Sequence, residues 1–233
     1  MGDLQYSVGY VVIDGVTVYS EVLEYSPRTW CVSTMNSTST STTVTKDKKI
    51  APALMNYGAA AQVRFEYKTN ALMNEGFEGF TFTSDMVSMT TREKATGLFK
   101  ETGISTILEG AVEYKVYYSA TGLEDKTGFG IEYQIGDQAV QIATDFVYEA
   151  QYHEYSVKIL GVAAKNLDEV VTIRPYYTEN GEKVYGETST VSAMFWVYGA
   201  MTSTSNTTTA KLDRAFAPAF GNYILAANER FAK

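Results

Sequence analysis

The sequence predicts an α+β protein that is mostly β, in which an immunoglobulin-like antiparallel β-sandwich is followed by an αα-hairpin. Short alternating apolar and polar runs, separated by turn residues, fill positions 104–187, and closely spaced strands of this kind are typical of an antiparallel sandwich. Apolar residues at helical spacing follow that region. A segment that combines a hairpin with a helix pair occurs twice, and self-similarity at a fixed period indicates a repeat architecture.

The duplicated segment covers residues 18–65 and 184–231, which align without a gap at an offset of 166 residues. Of the 48 aligned positions, 21 are identical, far more than chance would give. The identities that we expect to anchor the structure of each repeat are Trp30, Pro52, Asn56, Tyr57, Arg64 and Phe65 in the first copy and Trp196, Pro218, Asn222, Tyr223, Arg230 and Phe231 in the second.

The repeat divides the chain into four predicted parts. Residues 1–77 form the hairpin and helix pair of a partial first repeat, and 78–103 is a connecting segment. Residues 104–187 form the sandwich, and 188–233 are the helix pair of the second repeat.

Composition and charge argue against two classes of protein. The 18 tyrosines favour β structure, because aromatic side chains pack well on a pleated, half-buried surface. The net charge of −8 argues against a nucleic-acid partner, which would need clustered Lys and Arg. No window is apolar for the ~18 residues that a membrane span requires.

The N-terminus and the single cysteine bear on localisation. MGDLQYSVGYVV has no basic region followed by an apolar one, so we see no export signal in this chain. The protein is then either intracellular or a piece of a longer, exported parent. Cys31 forms no internal disulfide, and Val197 at the same repeat position indicates a small buried apolar side chain.

Residues 5–20 are predicted to form a β-hairpin. Two apolar runs flank Asp14-Gly15, which is a strong two-residue turn signal. The offset places Asn180-Gly181 at the equivalent position, so each copy of the repeat begins with a hairpin.

A short helix follows the hairpin in each copy. Ser26 can act as the N-cap of the first one, and Ser189 and Thr190 precede the second. Trp30 and Trp196 lie in the middle of these helices, and their large area makes them the main packing anchors.

Two Ser/Thr runs, 36–45 and 203–209, come next. Taken alone, each is typical of a flexible or O-glycosylated linker. Their position between two well-matched helices favours an ordered αα-hairpin loop instead.

The second helix of each pair is predicted to start near Pro52 and Pro218. Arg64 and Arg230 lie near the C-terminal ends of these helices, where a cation meets the negative end of the dipole. Apolar residues recur at helical spacing after each proline, namely Leu54, Tyr57, Ala61 and Phe65, and then Phe220, Tyr223, Ala227 and Phe231.

Residues 66–103 carry the weakest pattern. The stretch 66–80 has the composition of a turn-rich exit from the helix, and TREKATGLFKETG at 91–103 could be a short helix or an exposed loop.

The most specific stretch is APALMNYGAAAQVRFEYKTNALMNEGF at 51–77. It resembles the xALLNYGAAAQxYFxYNTxxLAN signature of repeat modules in large secreted and cell-surface proteins of gut Firmicutes. In those modules a β-sandwich runs into a pair of helices, and the stretches 107–118 and 155–187 resemble their first and last strands. The resemblance covers 104–231 as one module and 5–77 as the tail of a preceding one.

This resemblance implies an exported, multimodular and non-catalytic part of a protein, often beside enzymes or adhesins. Two features depart from the family pattern. The loop between the helices is longer and richer in Ser and Thr, and the second copy has GNYILAAN where the family has NYGAAAQ.

No constellation of residues indicates catalysis, a cofactor or a metal. His153 is the only histidine, so a Ser–His–acid triad would depend on it and a usual zinc site lacks ligands. Gly128-Phe129-Gly130 lacks the third glycine and the helix of a nucleotide loop. The pairs Glu124-Asp125 and Asp168-Glu169 fit solvated turns better than a calcium site. A glycosidase pair among the 27 acids stays open, since nothing singles out two of them.

Tyr114, Tyr117 and Tyr118 lie on one predicted strand and could stack on sugars. Because alternate side chains of a strand point to opposite faces, Tyr114 and Tyr118 share a face and Tyr117 takes the other. We favour packing in the core or at an edge for this set over a carbohydrate platform.

Two functions of different classes follow from these features. The first is a non-catalytic structural or assembly module of an extracellular bacterial surface protein, which acts by packing and strand pairing and could self-assemble head to tail into a filament or surface layer. Its partners would be other copies of the chain or adjacent modules. The alternative is a carbohydrate-binding module that accompanies a glycan-degrading enzyme, and an enzyme in its own right has the least support.

Residues 1–25 have the pattern of the closing hairpin of a sandwich whose other strands are missing. Such a hairpin exposes apolar surface and an unpaired edge. It could pack on the helices, dock on the next copy, or fray.

Overall fold

The computed structural model describes residues 3–69 and 81–232. The chain divides into two compact units, Met1–Thr81 and Phe82–Lys233. Antiparallel sheets and four α-helices make up the described residues, so the predicted α+β class is confirmed.

Four short strands and two helices form the first unit. The strands are β1 (Gln5–Ser7), β2 (Tyr10–Ile13), β3 (Val16–Tyr19) and β4 (Leu23–Tyr25). The helices are α1 (Pro27–Asn36) and α2 (Thr42–Arg64). β1 pairs with β4 and β2 pairs with β3, in both cases antiparallel.

Nine strands and two helices form the described part of the second unit. The strands are β5 (Glu101–Ile107), β6 (Val112–Ser119), β7 (Thr127–Ile135), β8 (Gln141–Ala143), β9 (Val147–Glu149), β10 (Glu154–Val162), β11 (Val171–Glu179), β12 (Glu182–Tyr185) and β13 (Ser189–Val191). The helices are α3 (Ala193–Thr202) and α4 (Thr208–Phe231). Single 3-10 turns lie at Ser84–Met86 and Ala164–Asn166.

The strands of the second unit form two antiparallel sheets. One has the order β5-β6-β10-β9, and the other has the order β12-β11-β7-β8 with β13 also paired to β11. Aromatic rings join the two sheets, since Phe129 of β7 lies 4.9 Å from Tyr155 of β10 between ring centroids. Residues alternate between buried and half-buried along β6, which is the period-2 pattern of a strand with one face in the core.

Both hairpin turns that the sequence predicts are present. Asp14 (φ 50°) and Gly15 (φ 79°) lie in the left-handed region, as do Asn180 (φ 52°) and Gly181 (φ 83°). A two-residue type I′ turn requires positive φ at both positions, which explains the Asp-Gly and Asn-Gly sequences.

Two stretches that the sequence suggests as single strands are each divided in two. The run 104–120 contains β5 and β6 on either side of a turn at Glu109-Gly110. The run 139–150 contains β8, which pairs with β7, and β9, which pairs with β10. This second run therefore crosses from one sheet to the other, a change that alternation of apolar residues does not reveal.

The segment 78–103, expected to be a connection, has a packed part. Residues 70–80, which include most of the predicted helix exit, lie outside the described residues. Between 91 and 100 the backbone is irregular, so the predicted short helix is wrong. The loop is not wholly exposed either, because Phe99 is buried and packs edge-on against Tyr118 at 5.7 Å.

The predicted starts of the long helices are wrong. Pro52 and Pro218 lie well inside α2 and α4, which begin at Thr42 and Thr208. Each proline removes one intrahelical hydrogen bond, and burial of apolar neighbours on the preceding turn, such as Phe216, offsets that loss. The Ser/Thr runs therefore supply the first turns of these helices as well as the loops.

The cap of α3 also differs from the prediction. Ser189 and Thr190 belong to β13, and Ser192 caps the helix by accepting a hydrogen bond from Phe195 N at 3.1 Å. Ser26 does the same for α1, since its hydroxyl accepts from Thr29 N at 3.0 Å. The offset of 166 residues relates the two caps.

The loops between paired helices are ordered by their own hydroxyl groups. Ser39 N donates to Ser37 Oγ at 3.2 Å, and Ser205 N donates to Ser203 Oγ at 3.3 Å. These short contacts are ST-turns, which Ser and Thr form readily.

A cation from the long helix closes each of these loops. Lys48 Nζ donates to the Ser37 carbonyl at 2.6 Å. Arg214, at the equivalent position, donates to the carbonyl of Ser203, and also to that of Ser205 at 3.0 Å.

Candidate functional site

The feature of the first unit that most needs a functional explanation is the ribbon, residues 4–25, which comprises β1 to β4. Every residue of the four strands is exposed. Its exposed large apolar residues are Leu4, Tyr6, Val8, Tyr10, Val11, Val12, Ile13, Val16, Val18, Tyr19, Val22, Leu23 and Tyr25. Contiguous apolar surface of this extent marks an interaction site on a soluble protein.

The ribbon has a bulge near its middle. Ser7 faces Leu23 in the β1–β4 pairing, whereas Gly9 accepts a hydrogen bond from Ser20 N at 2.8 Å. One extra residue therefore lies on the returning strand at 21–22, as in a β-bulge.

One edge of the ribbon carries no described strand. β1–β4 and β2–β3 are each two-stranded sheets, so the outer edge of β1 and β2 has no partner among the described residues. Because Gly9 bonds inward to Ser20, antiparallel alternation turns the backbone groups of Tyr10 and Val12 towards this edge. Such groups are a template for pairing with another strand.

An ionic contact holds the start of the ribbon to the chain that follows α2. Lys68 pairs with Asp3, and Tyr67 donates to Asp3 Oδ2 at 2.9 Å. The hydrogen bonds from Lys68 and Tyr67 lower the pKa of the Asp3 carboxyl. The ribbon is thereby tied at its root, and the apolar strands beyond it stay exposed.

Strand register in the ribbon has a counterpart in the second unit. Gln5 faces Tyr25 and Val171 faces Val191, so both pairs agree at the offset of 166. Tyr10 faces Tyr19 as Tyr176 faces Tyr185. The difference lies at the other edge, because β11 is also paired with β7.

The two tryptophan anchors pack on the long helices. Trp30 lies against a buried cluster of Cys31, Ala51 and Met55. Trp196 meets Phe216 and Phe220 edge-on, at 6.0 and 6.1 Å between ring centroids. These tryptophans serve the helix pairs and lie outside the ribbon.

The other anchors occupy the long helices as well. Asn56, Tyr57, Asn222 and Tyr223 are half-buried, and burial raises the pKa of the Tyr223 hydroxyl.

The last anchors form one motif at the end of each long helix. The Arg64 guanidinium lies 5.3 Å from the centre of the Phe65 ring. Arg230 lies 5.4 Å from that of Phe231. The geometry of a cation over an aromatic face is therefore the same at both ends.

His153 is exposed, and its ring takes part in two contacts. Tyr148 Oη lies 2.9 Å from Nδ1, and Glu124 Oε1 lies 3.4 Å from Nε2. Within the described residues no group of three His, Cys, Asp or Glu side chains could hold a metal ion. In the same residues, no helix is long and apolar enough to cross a membrane.

The tyrosine set on β6 is divided as alternation predicts. Tyr114 and Tyr118 are fully buried, so they are unable to stack on a sugar. Tyr117 is half-buried, with Lys115 Nζ 5.1 Å from the centre of its ring. Exposed tyrosines occur instead on the ribbon, where the rings of Tyr10 and Tyr19 are 6.2 Å apart.

Comparison of the chain with protein-family models, with curated proteins and with solved structures gave no match.

Sequence reasoning recognised the hairpin but missed the residues that give the ribbon its character. The alignment began at Val18 and left out Tyr10, which matches Tyr176 at the same offset. Extending the alignment upstream of 18 is the signal that would have found it. The loop-closing cations Lys48 and Arg214 were also missed, because the prediction placed them before the helix start.

Proposed function

We propose that this chain is a non-catalytic structural and assembly module of an extracellular bacterial surface protein, and that it acts by packing and strand pairing. The observation that carries the proposal is the ribbon, whose apolar strands and open edge have no partner among the described residues. Its neighbours would be adjacent modules or other copies of the chain. In the second case, head-to-tail pairing would build a filament or surface layer.

The proposal includes two statements about architecture. The two sheets of the second unit form an immunoglobulin-like sandwich, supported by the aromatic contacts between them. The segments at 5–64 and 171–230 are copies of one structural unit. Support for this comes from strand pairings and helix caps that recur at the offset of 166 residues.

Self-assembly is tested by static light scattering of the purified chain across a hundredfold range of concentration. Growing, open-ended species are expected, because open strand edges recruit further strands. A strict monomer at every concentration would rule out self-assembly by this chain.

Two proline variants make that test specific for the edge. Val12→Pro removes a backbone donor from the open edge, and proline is tolerated on edge strands. Thr17→Pro removes one from the opposite edge, formed by β3, whose counterpart β12 is a terminal strand. Growth should be lost in Val12→Pro and kept in Thr17→Pro, and equal behaviour of the two would exclude the β1–β2 edge.

The alternative function, glycan binding, is favoured by one observation. Tyr10 and Tyr19 are 71% and 66% exposed and lie on the same face of the ribbon, an arrangement that could stack on sugar rings. Retarded mobility in polysaccharide gels that Tyr10→Ala and Tyr19→Ala abolish would support it. Unchanged mobility across a panel of polysaccharides would remove this alternative.

A further inference from the structure

We infer that the open edge of the ribbon accepts an antiparallel strand of the β7 type, carried by the β-sandwich of a neighbouring repeat module. The inference rests on the proposed assembly function and names the partner of the same surface. It commits to a register, in which Gln5 faces the position equivalent to Ile135 and Tyr10 faces the position equivalent to Gly130.

The register follows from the strand that corresponds to β1 and β2. In the second unit, β11 pairs with β7 from Val171 opposite Ile135 to Tyr176 opposite Gly130. At the offset of 166, Gln5 and Tyr10 stand where Val171 and Tyr176 stand. The inner pairings of the two ribbons already agree residue for residue, so the outer pairing of one predicts that of the other.

Tyr10 supplies the first sign of a missing partner. Its counterpart Tyr176 is buried and lies across Gly130, where an added Cβ would come within 2.3 Å of the tyrosine ring. Only a glycine opposite Tyr176 leaves room for that ring. Tyr10 is the same residue in the same pairing, and its ring is 71% exposed.

Glu21 supplies the second sign. Its counterpart Glu187 accepts hydrogen bonds from the backbone N–H groups of Thr96 and Gly97, at 2.7 and 3.2 Å. These bonds hold the loop that leads into β5, and they lower the pKa of the Glu187 carboxyl. Glu21 is identical at this position and exposed.

Tyr19 supplies the third sign. Its counterpart Tyr185 donates its hydroxyl to Glu132 of β7 at 2.8 Å. The five positions identical between residues 5–25 and 171–191 are Tyr10, Gly15, Val18, Tyr19 and Glu21. Gly15 forms the turn, and three of the other four match residues that in the second unit contact β7 or the loop before β5.

The partner strand should be more apolar than β7 on one face. Where β11 has Arg174, Thr178 and Glu179, the ribbon has Val8, Val12 and Ile13. The partner therefore keeps a glycine opposite Tyr10 and offers apolar side chains towards the hairpin tip.

A second copy of this chain is a poor source of such a strand. Its β7 is already flanked by β11 on one side and β8 on the other, so lending it would break an existing pairing. A sandwich whose own closing hairpin is supplied from elsewhere has this edge free. For that reason the inference commits to a neighbouring module.

Disulfide trapping tests the register with a synthetic peptide of residues 126–136 as the probe. The full chain carries Cys31→Val, which leaves no other thiol, and either Ser7→Cys or Gln5→Cys. The peptide carries Tyr133→Cys or Ile135→Cys. In the inferred register Ser7 faces Tyr133 and Gln5 faces Ile135 in non-hydrogen-bonded pairs, whose Cα atoms lie about 4.5 Å apart and within reach of a disulfide.

The four combinations serve as controls for one another. In a glutathione buffer, the two matched pairs should form mixed disulfides about tenfold more than the two mismatched pairs, because a buried face fixes the register strongly. Val12→Pro in the chain should abolish trapping, and Thr17→Pro should leave it unchanged. Circular dichroism of each variant confirms that the helices are intact.

Three results would overturn the inference. They are equal yields in all four combinations, no mixed disulfide at all, and a disulfide-linked dimer of the Ser7→Cys chain that forms equally with or without peptide. The last would mean that the ribbon pairs with the ribbon of a second copy.

Failure of the inference and failure of the proposed function give different results. Growth in light scattering without register-specific trapping would keep assembly and remove this partner. A strict monomer with register-specific trapping would keep the partner and remove self-assembly.

Discussion

Among single residues, Glu101 is notable as a carboxylate that is 0% exposed. Arg92 holds it with two hydrogen bonds, Nη1 to Oε2 at 2.9 Å and Nη2 to Oε1 at 2.6 Å. Removing one partner of a buried ion pair leaves an uncompensated charge, which costs about 3–5 kcal/mol. We expect Arg92→Met to lower the free energy of unfolding by that amount in urea denaturation.

The double variant is the control for this prediction. Arg92→Met with Glu101→Leu should recover most of the loss, because two apolar side chains of similar volume leave no buried charge. A double variant as unstable as the single one would show that packing, and not the unpaired carboxylate, sets the cost.

Cys31 offers a second prediction at the residue scale. Burial raises the pKa of its thiol from 9.0 to about 11, so the native state disfavours the thiolate that reacts. The native chain should react with iodoacetamide at pH 8 far more slowly than the chain in urea. Rapid labelling of the native chain would contradict the buried position.

The same shift has a consequence for stability above pH 9. The unfolded thiol releases its proton near pH 9 and the folded one only near pH 11, so the unfolded state binds fewer protons between these values. Stability therefore falls as the pH rises through this window. Cys31→Val, with valine as at Val197, should remove this part of the alkaline loss in denaturation measured at pH 8 and pH 10.

At the scale of elements, local signals in the sequence predicted what local physics decides. Asp14-Gly15 and Asn180-Gly181 specify their turns because both central residues must adopt positive φ. The start of α4 was wrong because proline was taken as a boundary, whereas Phe216 and Phe220 already continue the apolar stripe across Pro218. Packing of that stripe outweighs the lost hydrogen bond, and no local rule contains that comparison.

Contacts between distant segments set the limit of prediction. The pairing of Arg92 with Glu101, and the loop bonds of Glu187, join residues through the tertiary fold. The sequence gives the residue types but no sign that they meet. The open edge of the ribbon was predictable, because only the repeat and the hairpin pattern were needed.

Two helical glycines allow a matched prediction at the element scale. An added Cβ at Gly221 of α4 would come within 2.6 Å of the Phe82 ring, whereas nothing lies within 4 Å of one at Gly199 of α3. Gly199→Ala should gain up to about 1 kcal/mol of helix propensity. Gly221→Ala should instead lose about 1–3 kcal/mol through overpacking, and thermal melts of the two variants should shift in opposite directions.

At the scale of the whole molecule, each compact unit contains one tryptophan. Trp30 belongs to the first unit and Trp196 to the second. Trp30→Phe and Trp196→Phe therefore give chains whose fluorescence reports one unit at a time. Neither tryptophan lies on the ribbon, so the substitutions leave the proposed interaction surface intact.

We expect the first unit to unfold at a lower urea concentration than the second. Its strands are fully exposed and contribute little buried apolar area, which is the main source of stability, whereas the second unit has two sheets joined by aromatic rings. The Trp30 signal should change first. Coincident transitions in the two variants would show a single cooperative unit and contradict this expectation.

The matched strand peptide links this stability difference to the assembly surface. A ligand that binds only the folded state raises its stability by an amount set by the ligand concentration and the dissociation constant, about 2.7 kcal/mol at a hundredfold excess over Kd. The peptide of residues 126–136 should thus move the transition that Trp30 reports and leave the one that Trp196 reports in place. A shift of the Trp196 transition alone would mean that the peptide binds the second unit, where β11 already holds the strand from which it was copied.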